Sequence, residues 1–124
     1  MKSENVVVKV VPRYLPEQSE PERQQFVFAY TVQITNHAEQ PIQVVSRHWI
    51  ISDANQNVQE VRGLGVVGQQ PLLAPGETFE YTSGCPLMTP VGTMRGFYHC
   101  VSEDGIPFDV AIPEFVLAIP RTLH

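Results

Sequence analysis

Positive charge is scarce in this 124-residue chain: eight Lys and Arg stand against thirteen Asp and Glu, a formal net charge of −5. The eight cations are also dispersed. Sequence-independent nucleic-acid binding needs clustered cations that displace counterions from phosphates, so no nucleic-acid partner is expected. Cysteine is scarcer still, with only Cys85 and Cys100. Two are too few for a disulfide scaffold, and their spacing fits no zinc signature. Reduced thiols packed as small apolar groups are expected. No window approaches the ~20 apolar residues needed to span a bilayer. The N-terminal residues, Met1 to Asn5, carry an early acid and no apolar signal core. A cytoplasmic protein without membrane insertion is the expectation. Nowhere do ten or more residues keep helical periodicity without a break.

What remains is a chain of short extended segments. Eleven prolines and eight glycines are scattered through it, the habit of an all-β domain with many turns. An apolar fraction of 43% supplies one core, and this length suits a single domain. Val6 to Val11 is rich in β-branched residues and reads as a first strand, an edge strand stopping at Pro12. Leu15 to Gln24, with Pro16 and Pro21, reads as a solvated loop. Phe26, Phe28, Tyr30, Val32 and Ile34 then recur with period two, predicting a strand whose even face is buried. Ile42 to Ser52 is the next strand. Its odd face (Val45, Arg47, Trp49, Ile51) is the expected core side, because the largest apolar surface gains most from burial. Asp53 to Gln56 supplies a turn, and Val58 to Val61 a short returning strand.

Glu77 to Ser83 alternates again, with Phe79 and Tyr81 on one side, and breaks at Ser83 to Pro86. Thr93 to Ser102 follows. Asp104-Gly105 marks a hairpin that needs positive φ. In the last strand Ile106, Phe108, Val110 and Ile112 are apolar at even positions, whereas Phe115, Leu117 and Ile119 are apolar at odd ones. A regular strand cannot bury both sets on one face, so a β-bulge or kink is predicted near Pro113-Glu114. About seven strands without helices imply an antiparallel β-sandwich, immunoglobulin-like or fibronectin type III-like by analogy. A closed barrel is the alternative.

Between the strands ending at Val61 and starting at Glu77 lies a Gly-rich connection, expected to cross from one sheet to the other. Gly63-Leu64-Gly65-Val66-Val67-Gly68 fits Gly-x-Gly-x-x-Gly. In a dinucleotide fold that pattern opens a helix facing a pyrophosphate, but here Pro71 and Pro75 interrupt any helix, and no Walker lysine follows. The glycines are expected to serve a sharp turn and a close backbone crossing. A functional alternative is an anion-binding nest of backbone donors with Arg62 beside it. Arg62, Gly63, Gly65 and Gly68 would then form a phosphate or nucleotide site.

Other chemistry is thin. His99 and Cys100 are strand neighbours pointing to opposite faces, which one metal ion cannot easily join. His37 and His48 have no second ligand at suitable spacing, and His124 is expected to be solvated. Ser83, Thr89 and Ser102 sit in no nucleophile elbow, and Glu103-Asp104 suits a turn. No enzyme activity and no cofactor are expected. Direct divalent-metal binding is a third functional alternative.

Residues 62 to 120 resemble the ApaG (DUF525) family. The resemblance is carried by Gly63 to Gly68, Pro71, Leu73, Pro75 to Glu77, Phe79, Tyr81, Ser83 and Gly84. It resumes with Gly92, Met94, Gly96 and Tyr98, and closes with Phe108, Val110, Ile112, Pro113, Phe115 and Leu117. Ser46-Arg47-His48-Trp49 also fits, while Cys100 departs from a more usual larger apolar residue. The resemblance implies a fibronectin type III-like sandwich. For bacterial members it implies association with cobalt and magnesium efflux. Similar domains appended to eukaryotic F-box and polymerase-interacting proteins imply a protein-interaction module. The leading expectation is therefore a non-enzymatic sandwich that binds an unidentified protein partner. Unpaired edge strands would also allow a homodimer.

Overall fold

The computed structural model describes residues 5–120, so the expectation for His124 falls outside the described residues. Eight strands form two antiparallel sheets packed as a sandwich: β1 (Val6–Tyr14), β2 (Phe26–Asn36), β3 (Ile42–Asp53), β4 (Val58–Leu64), β5 (Leu72–Leu73), β6 (Thr78–Leu87), β7 (Val91–Ser102) and β8 (Pro107–Ala118). One sheet has the order β1-β2-β6. The other runs β4-β3-β7-β8, with β5 also pairing β3. No α-helix occurs among the described residues; Leu15 to Gln24 holds two one-turn 3-10 helices, Pro16–Gln18 and Pro21–Arg23. That segment is not wholly solvated, because Leu15 is buried. None of the described helices is long and apolar enough to cross a membrane.

The period-two reading of β2 holds: Phe26, Phe28, Tyr30, Val32 and Ile34 are all buried. β1 is an edge strand, as expected, but it continues through Pro12 to Tyr14. Proline lacks a donor for the ladder, and an edge strand tolerates that loss on its free side.

Two bulges set the core. Along β8, Met94 pairs Phe115 but Gly96 pairs Ile112, so Arg95 alone faces Pro113 and Glu114. This is the bulge that the parity change predicts. It turns Phe115 inward onto Trp49, edge to face at 5.9 Å, while Val110, Ile112 and Leu117 stay buried.

The second bulge corrects the core face assigned to β3. Val44 pairs Cys100 and Ser46 pairs His99, leaving Val45 extra. Burial therefore changes parity along the strand. Ile42 and Val44 are buried before the bulge, Trp49 and Ile51 after it, and Val45 and Arg47 are only half-buried. An inserted residue reverses which side chains face inward. Trp49, 2% exposed, packs against Tyr30 at 5.2 Å and Tyr98 at 6.3 Å. It sits opposite Gly96, where a Cβ would lie 2.0 Å from the His48 carbonyl oxygen.

The Gly-rich connection does cross between the sheets, but not at glycines 63–68. β4 and β5 both run antiparallel to β3, pairing Ser46–Ser52 and then Ile42–Gln43. They are two pieces of one edge, and residues 65–71 form a loop between them. The crossing comes afterwards, at a turn in which the Glu77 N–H donates to the Ala74 carbonyl and Gly76 has φ 84°.

Candidate functional site

β1 and β8 lie against each other and close one flank of the sandwich. At the other flank, β6 and β4 are the outermost strands of their sheets, and a groove runs between them. It holds two recesses that share Ile51, Gln59 and Pro86. One, of about 220 Å³, is lined by Arg47, Trp49, Tyr30 and Ser83. The other, of about 250 Å³, is lined by Asp53, Asn57 and Met88. The groove thus carries a cation at one end and a carboxylate at the other.

Arg47 is held in place by the Gly-rich segment. Its Nη1 donates to the carbonyls of Leu64 and Gly65, both at 3.0 Å. Gly63 lies directly across from it in the ladder. The Val45 bulge fixes the same loop: its carbonyl accepts the Gly65 N–H at 2.7 Å and the Gln70 side-chain amide at 3.0 Å. Val66 is fully buried and anchors the loop in the core. Val66 and Gln69 exchange backbone bonds of 2.7 and 3.0 Å around a turn whose central residues, Val67 and Gly68, have φ 43° and 80°.

The sequence-predicted anion residues separate in this arrangement. Gly65 and Gly68 share the loop, and the N–H donors of Gly65, Val66 and Gln69 are taken by backbone carbonyls. Arg62 and Gly63 belong to β4. The Arg62 guanidinium is exposed, 3.5 Å from Glu60. Glu60 also accepts a bond from His48 Nε2 at 2.9 Å. The His48 bond, with the Arg62 charge, holds the Glu60 carboxyl below the usual range against slight desolvation. The arginine that reaches the loop is Arg47. The sequence had offered it only as a core-facing position on β3 and part of the Ser46–Trp49 resemblance.

Around Trp49 lies a cluster of phenols, of which Tyr30 lines the recess. The Tyr81 and Tyr98 hydroxyls are hydrogen-bonded to each other. Burial pushes Tyr81 up to about 12, opposed by the Tyr98 bond. Burial and the neighbouring Tyr81 push Tyr98 further up. Tyr30 is raised by burial, with a Ser83 hydrogen bond and the Arg47 charge pulling the other way. The Trp49 indole N–H makes no close hydrogen bond, but it lies near enough to the Tyr81 hydroxyl to oppose the rise there. Cys85, at the edge of the recess, is free, buried and pushed up to about 11 by desolvation. A nucleophilic thiolate is thereby disfavoured. His99 pairs with Asp109 at 2.6 Å on the exterior, and no group of three or more metal-ligating side chains occurs among the described residues.

Comparison with known proteins agrees with this architecture. The sequence model of the ApaG domain (DUF525) family matches residues 16–102. The chain is 72% identical over 124 residues to the Protein ApaG of Bordetella pertussis, covering all of this chain and 95% of that one. It is 64% identical over 119 residues to the Protein ApaG of Ralstonia nicotianae, covering 96% of each. A crystal structure of an ApaA protein from Bordetella pertussis superposes with a TM-score of 0.92 at 74% identity, over 94% of this chain and 95% of that one.

Proposed function

The chain belongs to the ApaG domain family, and on that premise we propose that it is a non-enzymatic binding domain for an extended segment of a protein partner, seated at the β4–β6 flank. One observation carries this reading. Eleven large apolar side chains are exposed among the described residues, and five of them, Val58, Val61, Leu64, Val67 and Leu72, lie along the single β4–β5 edge. Leu64 is 76% exposed and Leu72 66%. Apolar side chains gathered on one edge beside a groove mark an interaction surface more often than scattered ones do. The free edges of β4 and β6 also offer unpaired backbone groups to an incoming strand. Nothing in the groove combines a nucleophile with a base, so binding rather than turnover is the function it supports.

The test compares variants on and off this edge. Leu64→Lys and Leu72→Lys are expected to abolish capture of a partner that the wild type retains from native lysate. Phe97→Lys and Val116→Lys, exposed on other strands, are expected to leave it intact. Equal capture by both sets would remove the edge from consideration.

A further inference from the structure

The recess at Arg47 holds a guanidinium with no carboxylate to match it. Arginine and tryptophan side chains donate only. Arg47 spends Nη1 on two carbonyls, and no described carboxylate lies within ion-pair distance of it. Its Nε–Nη2 edge makes no described hydrogen bond. Trp49, 2% exposed, lines the recess and turns its indole N–H toward the Tyr81 hydroxyl. Donors left unmatched in a low-dielectric site are costly, and an incoming acceptor gains accordingly.

We propose that this recess takes the carboxylate of an aspartate or glutamate side chain on the partner's extended segment, paired with the free edge of Arg47. The proposal rests on the protein-binding reading above and names the chemistry that reading leaves open. A planar guanidinium matches a carboxylate through two parallel bonds. Charge complementarity limits the acidic character of the segment: Asp53 at the far recess repels a second negative group and favours a polar or basic residue there. In an extended strand alternate side chains point the same way, so successive inward residues fall into the two recesses.

Trp49 is the only tryptophan, so its indole N–H gives a single, assignable nuclear magnetic resonance signal over the recess. The probes are two pools of acetylated, amidated pentapeptides with randomised flanks, one with a central glutamate and one with a central glutamine, plus sodium acetate against sodium chloride. The glutamate pool is expected to move the Trp49 indole and Arg47 Nε–H signals with about tenfold or greater preference over the glutamine pool, and acetate to move the same signals weakly. Arg47→Lys, and Gln59→Phe at the mouth of the groove, are each expected to abolish the preference. Gln59→Phe leaves Arg47 untouched, so the test survives if the arginine variant misfolds. Equal shifts from both pools would overturn the carboxylate while leaving a peptide-binding groove. Absence of any shift at these signals from either pool or acetate would overturn the proposal. The edge-variant capture experiment then decides separately whether the flank binds protein at all.

Discussion

Arg47 lies across the ladder from Gly63, and a Cβ added to Gly63 would stand 2.8 Å from its Nη1. The glycine that reads in sequence as part of a phosphate motif is the floor on which a guanidinium rests. Gly63→Ala is expected to lift the Arg47 side chain and break its bonds to Leu64 and Gly65. Hydrogen bonds to a charged group contribute about 1.5–3 kcal/mol each at most, and the flexible side chain will recover part of that, so a loss of about 1–2 kcal/mol is expected in urea denaturation. In the Arg47→Met background the same Gly63→Ala change is expected to cost little, because nothing remains to displace. Additive effects in that double-mutant cycle would show that the glycine serves some other need.

Gly96 makes a harder demand. Its absent Cβ would fall 2.0 Å from the His48 carbonyl oxygen and 3.1 Å from the Trp49 Cα. Both are backbone atoms of a central strand, which cannot swing aside as a side chain can. Gly96→Ala is therefore expected to cost about 3 kcal/mol or more, at the upper end of overpacking penalties. Gly84→Ala is its control, since the Cβ there would meet only the Phe28 carbonyl at 3.7 Å. Thermal melts that rank the two variants equally would refute this account of Gly96.

Val67 is the other backbone position under tension. A β-branched residue at φ 43° occupies the left-handed region, which costs an L-residue about 1–2 kcal/mol. Its side chain is exposed, so little packing offsets the strain. Val67→Asn is expected to raise stability by about 1 kcal/mol, read as a higher urea midpoint. A lower midpoint would mean that the valine side chain holds the loop in a way its exposure conceals.

Several of these features were legible before any coordinates, for physical reasons. The β8 bulge could be read because its apolar residues change parity cleanly, from Val110 and Ile112 to Phe115 and Leu117. The β3 bulge could not, because Val45 and Ile50 make both faces of that strand look apolar. Pro12 misled because an edge strand tolerates what an inner strand does not. The connection that crosses between the sheets is legible, but the crossing falls at Pro75 and Gly76 and not at the glycines of 63–68; glycine marks a tight bend without saying which way the chain leaves. The groove was invisible in sequence, since Arg47 and Ser83 belong to different sheets. No local pattern pairs two strands that share only an open flank.

Burial of acidic groups that must stay protonated predicts a protein weakened by alkali. Burial raises Tyr81 to about 12 and Cys85 to about 11; burial and the Asp109 charge raise Cys100 to about 12. In the unfolded chain thiols ionise near about 8.5 and phenols near about 10. Above those values the unfolded state has released protons that the folded state still holds, so stability must fall as pH rises. The contribution is whole below about pH 8 and drains through about pH 12, by at most about 1.4 kcal/mol per pH unit for each group. Urea midpoints are expected to stay level from neutral pH to about 8 and then decline. Cys85→Ala and Cys100→Val each remove one titrating thiol, so each should make the decline shallower, whatever it does to the neutral midpoint. A midpoint that held level to about pH 11 would mean that the native fold lets these groups ionise as freely as the unfolded chain does, and that the interior around Cys85 and Tyr81 is open to water.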